Sequence, residues 1–337
     1  MRIFGALPSY LGGKRRLVGA IFKHLPPPSE VPVFADCFLG GGSVSLYAKA
    51  RGYSVRCNDI AERSVAVGHA LIANDRVTLS QSDLLRLFVD QENNGFISTH
   101  LAPDVVTPFH AQFLENAMAV AQSLPGPKGW LLKLLCIKYL LHQRPMGNFG
   151  AKTIVHQMAE GDFDAVNPKH LNDAVNRMVL KHPLTIARKL AMKINRGVFA
   201  NGQTHEVHQG DVFDFLEGLK ADIVYWDSPY AGTQSYEVAL RPLDEMLAGH
   251  PIKPERSVFS RTDSEDAIQQ LFEKSQHIPI WAMSYGGPIV TLRRLEELMS
   301  RYRRRVDAHA IKYTHLAALA REDSKAKCAE LILIGRA

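Results

Sequence analysis

The chain has 337 residues, 46% hydrophobic and 22% charged, with a formal net charge of +6 and a pI near 9.1. That length and composition support a sizeable buried core and exclude a disordered polyelectrolyte. The first sixteen residues carry no apolar signal run and no stretch reaches the length of a membrane span, so the expectation is a cytoplasmic protein acting away from any membrane. Cys37, Cys57, Cys136 and Cys328 form no C-x-x-C pair and no His/Cys cluster, so neither zinc nor a disulfide framework is expected.

In chain order, Tyr10-Leu-Gly-Gly-Lys14 comes first, a loop suited to closing on a ligand, before a helix expected over Leu17–His24. A plain Gly-Gly loop reads equally well. An apolar strand over Val31–Asp36 then runs into a glycine-rich turn, Asp36-Cys-Phe-Leu-Gly-Gly-Gly-Ser43, ahead of a helix over Ser43–Arg51. Glycines at such a turn let the backbone bend sharply and approach a ligand. The spacing Phe38-x-Gly40-x-Gly42 differs from the dinucleotide pattern G-x-G-x-x-G, which argues against an oxidoreductase. A second strand, Ser54–Asn58, stops at Asp59, where a carboxylate can accept ribose hydroxyls or cap the helix expected over Glu62–Ile72.

Between about Asn93 and Gln203 the strand–helix alternation stops. Helical periodicity over Pro108–Ser123 and Gly129–Gln143 leads into a loop rich in glycine, and the region reads as an insertion. From Pro125 to Ala200 there are twelve lysines and arginines against four acids, which leaves the rest of the chain slightly acidic. Clustered cations of this kind fit contact with a phosphate backbone, or a solvated helix surface.

The alternation then resumes. Asp211, after His208-Gln-Gly, ends a strand, and the apolar strand Ile223–Trp226 stops at Asp227-Ser-Pro-Tyr230. Methylation of an exocyclic amine needs such a set, because the nitrogen lone pair is delocalised into the base ring. Asp227 and the main-chain carbonyl of Ser228 can each accept one amino N–H, Pro229 fixes the turn, and Tyr230 can stack on an extruded base. A further strand, Ile278–Ser284, carries Trp281-Ala-Met-Ser284-Tyr285, with aromatics that also suit a core. A closing pair follows around Arg305–Ile311 and Ala329–Ile334.

Taken together, Tyr10–Lys14, Phe38–Gly42, Asp59, the basic insertion, Asp227–Tyr230, Trp281–Tyr285 and the closing strands resemble, in that order, the alpha-group, Dam-like DNA adenine-N6 methyltransferases. The resemblance spans essentially the whole chain. It implies an α/β, Rossmann-like class I methyltransferase fold with a mixed seven-stranded sheet, a C-terminal antiparallel hairpin and a helical target-recognition insertion. The implied division is a catalytic domain over 1–92 and 204–337, interrupted by the insertion over 93–203. It implies S-adenosylmethionine as methyl donor, held by Tyr10, Gly13, Lys14, Phe38, Gly40, Gly42, Asp59, Asp211 and Asp227, with no metal.

The same resemblance assigns the chemistry to Asp227, Ser228, Pro229 and Tyr230, with double-stranded DNA as substrate and Arg144, Asn148 and Lys152 as its contacts. A polar loop with glycine turns reads the Arg144 to Lys152 stretch equally well. A restriction endonuclease of the same system is a further expected partner, in a nucleoid-associated protein of bacterial or phage type. One departure is Ser228, where the family has proline. The contact there is made by a carbonyl, so serine preserves it while loosening the turn. Methylation of adenine in RNA, or a DNA-binding homologue that has lost its chemistry, are the alternatives.

Overall fold

Strands Val33–Asp36 (β1), Ser54–Asp59 (β2), Glu206–Gln209 (β3), Ile223–Trp226 (β4), Ile280–Tyr285 (β5), Arg305–Lys312 (β6) and Ala329–Arg336 (β7) form one seven-stranded sheet in the order β3-β2-β1-β4-β5-β7-β6. This is a computed structural model, describing residues 2–9, 13–89, 95–144, 149–176, 180–230, 235–261, 264–287, 289–312 and 329–337. Neighbours from β3 to β5 run parallel, and β7 pairs antiparallel with both β5 and β6. This is the mixed sheet with a closing antiparallel pair that the resemblance implies, and it is consistent with the expected class I methyltransferase fold.

β1 and β5 start two residues later than the apolar pattern suggests. Pro32 and Pro279 stand immediately before them, and proline has no N–H to give to a ladder. The helix expected over Glu62–Ile72 is α-helical through Val67 and then widens into a π-turn over Gly68–Ile72, where Ala73 N–H reaches back to the Gly68 carbonyl at 3.0 Å. The pairing places Asp36 opposite both Cys57 and Tyr225. The carboxyl ends of β1, β2 and β4 therefore lie at one edge, and the chain leaves that edge through acid-bearing turns.

Two compact units are distinguished. One comprises Leu11–Ile60, Asn201–Ser235 and Glu255–Ala337 and contains the sheet; the other comprises Met1–Tyr10, Ala61–Ala200 and Tyr236–Pro254.

In the sheet unit, Trp226 and Trp281 meet edge to face at 5.2 Å, and Phe272 stacks on Trp281 at 5.2 Å. The Trp281 indole N–H donates to the Ser275 carbonyl at 3.0 Å, and the Arg303 guanidinium lies 3.6 Å from its ring centroid. Trp281 is thus a core residue whose polar edge is satisfied, the arrangement that lets so large an aromatic be buried. Arg303 also donates to the carbonyls of Ser275, Gln276 and Ile278, and burial lowers its pKa to about 10.

In the other unit, the helices Pro108–Ser123 and Pro127–His142 form an antiparallel pair across Gly126, which adopts φ of 68°. A side chain at Gly129 would lie 2.2 Å from the Leu124 carbonyl, so the tight turn depends on glycine there. The helix Pro183–Asn195 packs in the same unit through Ile186, Ala187, Leu190, Ala191 and Ile194. Among the described residues, no helix is long and apolar enough to cross a membrane.

Candidate active site

The apolar strand β4 delivers Asp227 to the sheet edge, where it meets Lys14. Lys14 Nζ lies 2.7 Å from Asp227 Oδ1, and it donates to the Tyr230 hydroxyl at 3.0 Å. The Tyr230 hydroxyl in turn donates to Asp227 Oδ1 at 3.0 Å. Three residues from two distant segments thus form a closed triangle. Lys14 is only 2% exposed and Asp227 20%, so the ammonium is almost fully desolvated while the carboxylate keeps access to solvent.

Tyr230 is 7% exposed, with its ring 5.1 Å from that of Tyr285. Stacking of an extruded base on this ring therefore requires side-chain movement on binding. Gly287, just beyond β5, permits the close packing here, since a Cβ at that position would stand 2.6 Å from the Tyr285 hydroxyl. Ser228 is buried, and its hydroxyl has no partner among the described residues. Pro229 follows it at the same turn.

The glycine turn lies on the same edge. Gly40 and Gly42 have φ of 51° and 75°, left-handed values that a side chain would strain, and Gly42 is the N-cap of the helix Ser43–Arg51 without any side-chain cap. Asp59 Oδ2 accepts the Gly40 N–H at 2.8 Å, tying the end of β2 to the turn. Phe38 packs edge to face on Phe259 at 5.1 Å. Gly13 stands immediately before Lys14 and is half-buried.

Asp36, which in sequence ends a strand and opens the glycine turn, is a strongly perturbed carboxyl of the edge. It is 1% exposed and accepts the Ser45 hydroxyl at 2.7 Å and the Phe38 N–H at 3.4 Å. Burial pushes its pKa up to about 7. The Ser45 hydrogen bond opposes that rise, while the nearby charges of Asp227 and Asp59 add to it. The signal available in sequence was its position, an acid closing an apolar strand before a glycine turn. Ile60 was also missed: it is 73% exposed directly after Asp59, an apolar surface placed beside a hydrogen-bonding acid.

Asp211 lies just beyond β3. Its side chain caps the helix Val212–Leu216, accepting the Phe213 N–H at 2.7 Å. In the helical unit, Arg144 is 6% exposed, with Nε donating to the Leu141 carbonyl at 3.1 Å and its guanidinium 5.2 Å from the Phe149 ring centroid. Lys152 is ion-paired with Asp104, which also accepts from His156 at 2.8 Å. Tyr10 and Asn148 lie outside the described residues. Beside Arg144, the Gln143 amide is 2% exposed with neither its nitrogen nor its oxygen partnered among the described residues. Among those residues no group of three or more His, Cys, Asp or Glu is placed to hold a metal ion.

The edge thus offers an acceptor pair for an amine (Asp227 and the carbonyl that follows it), carboxylates suited to an ammonium and to ribose hydroxyls (Asp36 and Asp59), and uncapped helix N–H groups suited to a carboxylate. Comparison with known proteins points the same way. Residues 10–123 match the family described as D12 class N6 adenine-specific DNA methyltransferase. The chain is also 26% identical over 333 residues to the Type II methyltransferase M2.HphI of Haemophilus parahaemolyticus, an alignment covering 97% of this chain and 96% of that protein.

Proposed function

We propose, from the match of residues 10–123 to the D12 class of N6 adenine-specific DNA methyltransferases and the full-length likeness to a Type II methyltransferase, that the chain is a member of that class and that the Lys14–Asp227–Tyr230 triangle is where the amino group of an adenine extruded from duplex DNA is methylated. The observation that carries the assignment is the ion pair of a nearly fully buried Lys14 with a part-exposed Asp227, at 2.7 Å. A cation this close favours the ionised carboxylate, which accepts one amino N–H, while the Ser228 carbonyl accepts the other. The amine is thereby drawn from its planar, conjugated geometry towards one that can attack.

Methyltransferases of this family generally use S-adenosylmethionine, which when bound supplies an activated methyl group on its sulfonium. The residues of the edge fit such a molecule. Asp36 would face its ammonium, Asp59 its ribose hydroxyls, and the N–H groups that Gly42 leaves uncapped its carboxylate. Phe38, Gly40 and Gly13 would line the same space, with Asp211 beside it. Rate then comes mainly from holding the amine in line and from the preset charges of Lys14 and Asp227. Tyr230 would turn its ring to the base as the adenine enters.

The Type II designation of the relative supports a restriction endonuclease of the same system as a partner, with the work done on cytoplasmic DNA. The test is transfer of a labelled methyl group from S-adenosylmethionine to duplex DNA, followed by nucleoside analysis, with an Asp227→Ala protein alongside. Labelled N6-methyladenine from the parent protein alone is the expected result. Transfer by both proteins, or label in another nucleoside, would overturn the assignment.

A further inference from the structure

From Ala174 to His205 the chain carries six lysines and arginines and no acid. The helix Pro183–Asn195 lies within this stretch and buries Ile186, Ala187, Leu190, Ala191 and Ile194 on one side. With 3.6 residues per turn, Arg188, Met192 and Arg196 follow one another along the opposite side, with Lys193 next to them. Arg188 and Arg196 are exposed, and Met192 between them keeps 58% of its surface exposed. The contact recorded for Arg188 is a neutral amide: with the Gln81 side chain turned so that its oxygen faces the guanidinium, Nη2 lies 2.6 Å away.

Helix stability accounts for only part of this arrangement: Lys193 and Arg196 sit at the C-terminal end, where the helix dipole favours a cation, but the other placements run against it. Lys181 stands just before the N-terminus of the helix, where the helix dipole disfavours a cation. Lys189 and Lys193 are like charges at i and i+4, a spacing that destabilises helices. A merely solvated surface would interleave both signs. In contrast, the cations nominated from sequence in this unit are engaged within it, Arg144 by burial and Lys152 by Asp104.

We propose that the outward side of the helix Pro183–Asn195, with Lys181, Arg188, Lys193 and Arg196, is the surface on which the protein holds the phosphate backbone of duplex DNA. This rests on the reading of the chain as a DNA methyltransferase. Arg188 and Arg196 are separated by about 12 Å along the helix at 1.5 Å per residue, so the row suits a run of phosphates better than a single anion. Such contacts position the duplex without reading its sequence, and Met192 would meet the sugar edge between them.

The test is binding of labelled duplexes of several unrelated sequences by the full-length protein, between 50 and 200 mM salt, for the parent and for Arg188→Gln, Lys193→Gln, Arg196→Gln and the triple variant. Each lost phosphate contact lowers the slope of log affinity against log salt by about 0.9, so the triple variant is expected to lose about 2.7. Affinity should fall equally on every duplex, with the melting temperature retained. Arg293→Gln, which removes a cation paired with Glu297 at 3.0 Å, is expected to leave the slope unchanged. An unchanged slope in the triple variant, or a loss confined to one sequence, overturns the proposal while leaving the methyltransferase reading intact. A parent protein that binds no duplex even at 50 mM salt overturns both.

Discussion

Lys14 and Asp227 are joined by a 2.7 Å ion pair in which the lysine is 2% exposed and the aspartate 20%. Neither residue alone specifies a site, since a lysine after two glycines and an aspartate before a proline are common turn features. Their pairing puts a desolvated positive charge behind the carboxylate proposed to face the substrate.

Lys14→Met should therefore cost more than a surface substitution. Removing one partner of a buried pair costs about 3–5 kcal/mol when both are buried. Because Asp227 remains in touch with solvent, about 1–3 kcal/mol is expected here, measured by urea unfolding. Methyl transfer should fall at least about 100-fold. A Lys14→Met protein with full turnover at saturating substrate would remove Lys14 from the chemistry.

Ser228→Pro should raise stability. The substitution removes a buried hydroxyl that has no partner among the described residues and restricts the unfolded chain, together worth about 1 kcal/mol. Methyl transfer is expected to continue, because the carbonyl proposed to contact the amine is kept. Denaturant unfolding and turnover measured on the same preparation check both statements, and a marked loss of stability would mean that the turn needs the serine N–H.

The raised pKa of Asp36 makes stability depend on pH in a definite direction. Between the ordinary value of 3.8 and about 7 the folded chain holds a proton that the unfolded chain has lost. Stability contributed by this group therefore falls as pH rises through that window, by at most about 1.4 kcal/mol per unit, and levels off above 7. Asp36→Asn should remove this component, so that the variant gains on the parent between pH 5 and pH 8. Equal pH dependence of unfolding in the two proteins would contradict the assignment.

Asp59→Ala should act on cofactor affinity more than on turnover. The change removes the acceptor of the Gly40 N–H and the proposed acceptor of the ribose hydroxyls. A charge-assisted pair of this kind is worth about 1.5–3 kcal/mol, or about 10- to 100-fold in the dissociation constant. Calorimetric titration with S-adenosylhomocysteine reads the affinity, and turnover at saturating cofactor should remain within a few-fold of the parent.

Several elements were legible from local pattern alone. The helix Pro108–Ser123 and the strand Ile223–Trp226 have the bounds that periodicity and flanking residues suggest. Where the pattern misses, the cause is equally local, as with Pro32 and Pro279 delaying β1 and β5. Site residues were legible as types at turns, because an acid that closes an apolar strand is exposed to the sheet edge by the strand itself. Their roles were less so. Asp36 and Asp59 both close strands, yet Asp36 is buried and Asp59 only half-buried, and burial pushes the Asp36 pKa up to about 7.

By itself the sequence determined the alternating sheet, the acid-bearing turns and the excess of positive charge before Ala200, since each depends on neighbouring residues and on hydrophobic periodicity. Tertiary structure alone decided which charges meet. It brought Lys14 against Asp227, buried Arg144 against its own helix end and paired Lys152 with Asp104, while leaving Arg188 and Arg196 exposed. A charge's effect depends on distance and desolvation, and both are properties of the packed chain, not of its order.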